Sequence, residues 1–335
     1  MGMKRKILGL VIGTLGWAGQ LLAEQGGGGH YVPGATSSSM DVLPDTPGLV
    51  VQNQYLNYST ASAHGSYHVN GPGQPTQYHG IPFGNDLALG VKVTVNADRL
   101  QLLYMFKPKL LGGHYAVAVE PSMVWESVSG GGIPYSRPVP PYRIYRVNPG
   151  STHGFGDLIF WPLILGWKNG DFKYDVRCAV YAPTGDYNKN AMANPGLGYW
   201  TFEPGLSFSW LSRKLGTEVS VFSGIDFNAK NTYSGYQSGD VVHVDATVAQ
   251  HLALGGGRAG LGVNGFYYKQ ITADSGSGFF PGSYEVMAEG VGPVVSYVHN
   301  LGGHPLAIEV KWLPETQVNN TTSGNYIWAK ISYAF

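Results

Sequence analysis

The strongest constraint on this chain is where it puts its charge. Over residues 172–182, Phe172, Tyr174, Val176, Cys178 and Val180 alternate with Lys173, Asp175, Arg177 and Ala179, so the ionised side chains share one parity. The same sorting recurs downstream. Val219, Val221, Ile225 and Phe227 oppose Glu218, Ser220 and Asp226. Val242, Val244, Ala246 and Val248 oppose His243, Asp245, Thr247 and His251. Leu306, Ile308, Val310 and Trp312 oppose Glu309 and Lys311. Upstream, Tyr115, Val117, Val119, Met123 and Trp125 face away from Glu120. A period of two is the signature of a strand, because successive side chains point to opposite sides of a sheet. A soluble sandwich also alternates, with its polar face to water. Length separates the two cases: soluble strands average about 5–6 residues, whereas strands that cross a bilayer at a tilt need roughly 9–11. These runs are of the second kind, so the apolar parity is expected to meet lipid and the charged parity to line a lumen.

Composition narrows the choice further. Charged residues make up 13% of the chain, about half the share usual in a soluble domain. Beyond residue 23 no apolar run approaches the ~18 residues of a spanning helix, and the longest, Leu158 to Trp167, contains Pro162. In lipid, backbone groups find partners only in a helix or in a sheet closed on itself. An all-β transmembrane antiparallel up-and-down barrel is therefore expected over 49–335. The formal net charge is zero, so there is no basic footprint for nucleic acid. The single cysteine, Cys178, rules out an internal disulfide framework.

The N-terminus reads as an export leader: Lys4, Arg5 and Lys6, then an apolar run from Ile7 to Trp17, then Ala23 as the small residue before a cut. Residues 1–23 are accordingly expected to be removed. Residues 24–48 are rich in Gly, Pro and Ser and are read as loop, either a periplasmic leader or a plug folded into the lumen. From there the turns alternate in length. Short ones fall near 107–113, 168–171, 212–216, 255–258 and 300–304, and longer polar stretches near 60–86, 129–152, 183–198, 229–239, 273–284 and 317–323. Short periplasmic turns and long outer loops are the barrel rhythm, and this one gives twelve strands with both ends on the periplasmic side. The second strand is the ambiguous one. Its apolar parity is odd over Leu89, Val91, Val93 and Val95 and even over Leu100, Leu102, Tyr104 and Phe106, so Asn96-Ala97-Asp98 is either a bulge or a turn.

The inward polar set is the candidate site: Glu120, Glu126, Lys173, Asp175, Arg177, Glu218, Asp226, His243, Asp245, Glu309, Lys311 and Lys330. Such residues tune what passes a lumen or pair with one another to hold it. Trp125, Trp161, Trp210, Trp312 and Tyr333 are expected to face lipid or the interfacial girdles. No metal or other cofactor is expected. His64 and His68 lie in a Gly/Ser-rich loop, and His243, Asp245 and His251, on one strand face, would need a neighbouring strand's ligands. No Gly-x-Ser-x-Gly elbow, phosphate loop or dinucleotide motif is present, so no enzymatic role is expected.

Two resemblances add to this reading. The ending Ile331, Tyr333, Phe335 resembles the C-terminal recognition signal of bacterial outer-membrane barrels, which implies the barrel-assembly machinery as a partner. The stretches Gly29-His30-Tyr31-Val32-Pro33-Gly34, Leu43-Pro44-Asp45-Thr46-Pro47-Gly48, Lys107-Pro108-Lys109-Leu110-Leu111-Gly112-Gly113 and Ala182-Pro183-Thr184-Gly185-Asp186-Tyr187 resemble the outer-membrane proteins associated with the meta-pathway of phenol degradation. That resemblance implies a bacterial outer-membrane conduit, in contact with outer-membrane lipid, for passive uptake of small molecules, hydrophobic or aromatic compounds among them. Export, adhesion and a lipid-facing hydrolase are the rival expectations.

Overall fold

The computed structural model describes residues 29–60, 65–68, 77–78, 81–82, 86–134, 145–191, 193–276 and 285–335. The expected leader, residues 24–28 and His64 lie outside them. Twelve long strands run through the described residues: β1 Gly48–Thr60, β2 Asp86–Leu110, β3 Gly113–Glu120 resuming after Pro121 as Ser122–Pro134, and β4 Tyr145–Phe155 resuming as Leu158–Asn169. They continue with β5 Phe172–Ala182, β6 Thr201–Leu211, β7 Thr217–Asn228, β8 Val241–Leu254, β9 Gly257–Gln270, β10 Met287–Leu301, β11 His304–Asn319 and β12 Gly324–Ala334.

Each strand pairs antiparallel with its sequence neighbours, and β1 closes the ring on β12 from Val50↔Ala334 to Thr60↔Gly324. Closure of β1 on β12 joins the two ends of the sheet, which is the condition for a sheet to stand in hydrocarbon. Among the described residues, the outer part of β4, Tyr145–Phe155, extends beyond β5 and pairs only with β3. No helix of the described residues is long and apolar enough to cross a membrane. The five short connections fall where the turn signals put them. In the β8–β9 hairpin both Gly255 (φ 55°) and Gly256 (φ 79°) are left-handed, the conformation a two-residue turn needs to match the strand twist.

Burial follows parity. β7 alternates residue by residue between fully and partly buried positions. Outward side chains such as Leu206 (60% exposed) and Leu261 (67%) form an apolar outer wall. Two aromatic levels bound it. One carries Trp167 stacked on Tyr174 and Phe172 stacked on Trp210, beside the short turns. The other carries Tyr55, Trp125 and Trp312.

β2 is a single strand, and no register shift occurs at Asn96-Ala97-Asp98. The parity change has another cause. Even residues from Asn96 to Tyr104 point outward, polar at Asn96 and Asp98 and apolar at Leu100, Leu102 and Tyr104. Asn96, paired with Trp125, accepts hydrogen bonds from Tyr55 Oη (2.8 Å) and Asn57 Nδ2 (2.8 Å). The strand there reaches the outer aromatic level, where the outer face has no reason to be apolar. The irregularity in β2 lies lower, between Met105 and Lys109.

Trp161 overturns its expectation: it is 7% exposed and packs inside with Ile159 and Ile164. Pro162 is the extra residue of a bulge in β4, opposite Ala116–Ala118 of β3 and Cys178–Val180 of β5. A bulge switches which parity faces inward, and proline suits it because it has no N–H to offer the ladder.

Candidate lumen site

Residues 29–47 run through the barrel and are held by side chains from eight strands, Gln52 of β1 among them. At the short-turn end Asp45 accepts from Lys168 Nζ of β4 (2.6 Å) and Lys173 Nζ of β5 (2.8 Å), and Lys173 also donates to the Leu43 carbonyl (2.9 Å). Burial alone would raise the Asp45 carboxyl, but the two ammonium groups outweigh it and hold the pKa down at about 2. Next, Lys330 Nζ of β12 donates to both Asp41 carboxylate oxygens (2.9 and 3.0 Å) and to the Ala35 carbonyl (2.6 Å). Burial opposes ionisation of Asp41 as well, yet Lys330 and then Lys311 keep its carboxyl below its ordinary value. Arg177 Nη2 reaches the Asp41 carbonyl at 3.3 Å.

Farther in, Ser39 donates through its backbone N–H (2.6 Å) and its hydroxyl (2.7 Å) to Glu218 of β7, which is paired with His251 Nε2 at 2.6 Å. Lys311 Nζ of β11 donates to Ser37 Oγ (2.5 Å). The Gly34 N–H donates to Asp245 of β8 (2.8 Å), Tyr31 donates its hydroxyl to the same carboxylate, and Trp328 Nε1 donates to the Pro33 carbonyl (2.9 Å). At the far end His30 bonds Thr201 of β6 (2.7 Å) and Asp157 (3.0 Å), between the rings of Tyr181 and Tyr199.

Apolar contact accompanies this ladder. Tyr31 and Ala35 pack with Leu56, Phe266, Leu313 and Trp328, and Leu43 packs with Met105, Ala116 and Trp161. Gly34 has φ +84°, and a Cβ there would lie 2.6 Å from Leu313 Cδ1 and 2.9 Å from Trp328 Nε1. Glycine is the residue that passes this point.

All twelve inward candidates lie on the lumen side. Glu120, Asp175, Glu218, Asp226, His243, Asp245, Glu309, Lys311 and Lys330 are each at most 4% exposed. Four are paired to each other, Arg177 with Asp175 (2.7 Å) and Lys311 with Glu309 (3.0 Å), and Glu120 pairs with Arg99. Lys173, Arg177, Glu218, Asp245, Lys311 and Lys330 hold the threaded segment, Arg177 and Lys311 in addition to their pairing, and Glu126 accepts from the Asn194 N–H (3.0 Å). Arg99 and Glu203 are inward residues that the parity reading did not single out. Glu203 sits in a strand whose outward face is as apolar as the others, so the same signal was available for it, whereas Arg99 adjoins the polar outward residues Asn96 and Asp98, where parity is ambiguous. Ile331 (46%) and Phe335 (58%) face outward at the closing strand, and the Phe335 N–H donates to the Leu49 carbonyl (2.8 Å).

No curated protein matches the chain in sequence. The fold is similar to the crystal structure of an outer membrane channel from Pseudomonas putida F1, with a TM-score of 0.57 at 16% identity, covering 91% of this chain and all of that one. The beta domain of the Bordetella autotransporter BrkA aligns with a TM-score of 0.45 at 11% identity, over 87% of this chain and all of that one. A family model described as "Putative MetA-pathway of phenol degradation" matches residues 76–331.

Proposed function

The chain belongs to that phenol-degradation family, and from this premise we propose that it is a bacterial outer-membrane channel, not an enzyme, for passive uptake of small hydrophobic or aromatic molecules, with residues 29–47 as its removable plug. The observation that carries the reading is how the segment is held. Its contacts to the wall are hydrogen bonds, ion pairs and apolar packing, all reversible, and they lie along the axis a solute would take. A strand could not leave without breaking the ring, whereas this segment can. A twelve-stranded ring lies between barrels filled by side chains and open porins, so a peptide of this thickness suffices to block it.

What the segment covers supports the proposed cargo class. Phe222, Phe266 and Trp328 are inward and at most 5% exposed beneath or beside it. The Arg177 guanidinium lies 5.0 Å from the Phe222 ring centroid, and that of Arg99 lies 5.7 Å from Trp328. Flat rings backed by guanidinium groups suit a planar aromatic solute. The test is solute flux into liposomes carrying the full chain or a form lacking residues 24–45. Faster entry of small phenols than into empty liposomes, rising further in the deletion, is expected. Flux equal to that of empty liposomes in both would overturn the reading.

A further inference from the structure

Three inward side chains from neighbouring strands give no hydrogen bond to the plug, though the Tyr31 ring of the plug lies over one of them. They are Glu203 on β6, Asp226 on β7 and His243 on β8. All three are buried, and one ligand atom from each lies within 4.8 Å of the others. His243 Nε2 is 3.4 Å from Glu203 Oε1 and 3.6 Å from Asp226 Oδ1. Despite this proximity, His243 Nε2 and Asp226 Oδ1 have no hydrogen-bond partner among the described residues. Most other inward carboxylates do find one, Glu309 Oε1 being the exception: Glu120 meets Arg99, Asp175 meets Arg177, Glu218 meets His251, and Asp245 meets Tyr31 and the Gly34 N–H. Two buried carboxylates facing one imidazole are short of positive charge, and buried charge without a partner is costly.

We propose that Glu203, Asp226 and His243 form a binding site for a divalent transition-metal ion of the zinc class. A tetrahedral ion with bonds of about 2.0–2.2 Å holds its ligand atoms about 3.3–3.6 Å apart, and the two imidazole–carboxylate separations are of that size. Imidazole with carboxylates is a ligand set that zinc, cobalt and their neighbours accept. The wall carries no side chain at the point where the three meet. Gly224 on β7 faces this point, and a Cβ there would lie 2.5 Å from His243 Nε2 and 3.0 Å from Glu203 Oε1. Neighbours touch two of the three ligands, while His243 Nδ1 has no hydrogen-bond partner among the described residues. Tyr181 donates its hydroxyl to Glu203, and the Tyr31 ring stacks on His243 with centroids 3.4 Å apart. Three protein ligands leave a fourth position for water, and the ion replaces the missing positive charge.

The inference does not depend on the transport reading and is tested on the full chain, produced without a histidine tag, in detergent and stripped with a chelator. After equilibration with micromolar Zn²⁺ and gel filtration, elemental analysis should find one zinc per barrel. Co²⁺ should give the visible absorption of a tetrahedral site. His243→Ala and Asp226→Asn should weaken Zn²⁺ binding at least tenfold. Gly224→Ala should abolish it while keeping every ligand, with folding of each variant checked by heat-dependent gel mobility. If the folded wild-type chain retains no zinc, the site is instead an imidazolium held between two carboxylates and the proposal falls. It also falls if the variants bind zinc as well as wild type. Should His243→Ala fail to fold, the Asp226→Asn and Gly224→Ala measurements decide.

Discussion

Replacing Asp41 with asparagine tests whether ion pairing holds the lumen segment in place. Lys330 Nζ, fully buried, has the Ala35 carbonyl at 2.6 Å and the two Asp41 oxygens at 2.9 and 3.0 Å, with Glu309 next at 3.7 Å. The substituted amide keeps one oxygen to accept from Lys330 but loses the charge. Glu309 cannot take its place, because it already pairs with Lys311 at 3.0 Å. Removing one partner of a buried pair costs about 3–5 kcal/mol. The retained acceptors argue for the lower end, about 3 kcal/mol, which is roughly a hundredfold shift of the docking equilibrium at about 1.4 kcal/mol per tenfold. The assay is single-channel recording in planar bilayers, comparing wild type, Asp41→Asn and a form lacking 24–45. Open events should become roughly a hundredfold more frequent in Asp41→Asn, and the deletion should stay open. The double variant Asp41→Leu with Lys330→Met should open less often than Asp41→Asn, since it strands no charge. The reasoning is refuted if the deletion opens the barrel while Asp41→Asn behaves as wild type.

Other expectations follow from the same geometry. Asp41 and Asp45 are held below their ordinary pKa when docked and regain it when released. Their contribution is therefore complete above the ordinary carboxyl range of about pH 4 and is lost as pH falls through the depressed values, about 2 for Asp45, so conductance should rise in strong acid. Gly34→Ala forces a side chain into the left-handed region, at about 1–2 kcal/mol, and against Leu313 and Trp328; protease cleavage within 29–47 should become faster with the barrel intact. Leu206→Arg puts a charge on the outer wall and should cost up to about 2–4 kcal/mol in denaturant titrations in lipid, while Ser207→Ala, on the inner face, should cost less. Phe335→Ala should lower outer-membrane yield in cells yet leave refolding into detergent unchanged; equal loss in both would make the ring a packing residue and not an assembly signal.

The ring itself was legible in the chain because its cause is local. Each strand must show one face to the outer wall and the other to the lumen, so parity alone separates Glu218 from Val219 and Lys311 from Trp312. The turns were legible for the same reason, since a two-residue reversal such as Gly255-Gly256 needs backbone freedom at that spot. Three things were decided only by the tertiary structure. Trp161 faces inward because a bulge at Pro162 shifts the parity, and whether a proline makes a bulge or a bend depends on the strands beside it. The polar outward face at Asn96 and Asp98 reflects how high β2 rises, which is set by its pairing with Trp125. The course of residues 29–47, and the meeting of Glu203, Asp226 and His243, depend on register between strands. Parity forbids a one-residue slip, but a two-residue slip would keep every face and still part those three side chains, and nothing within any single strand excludes it.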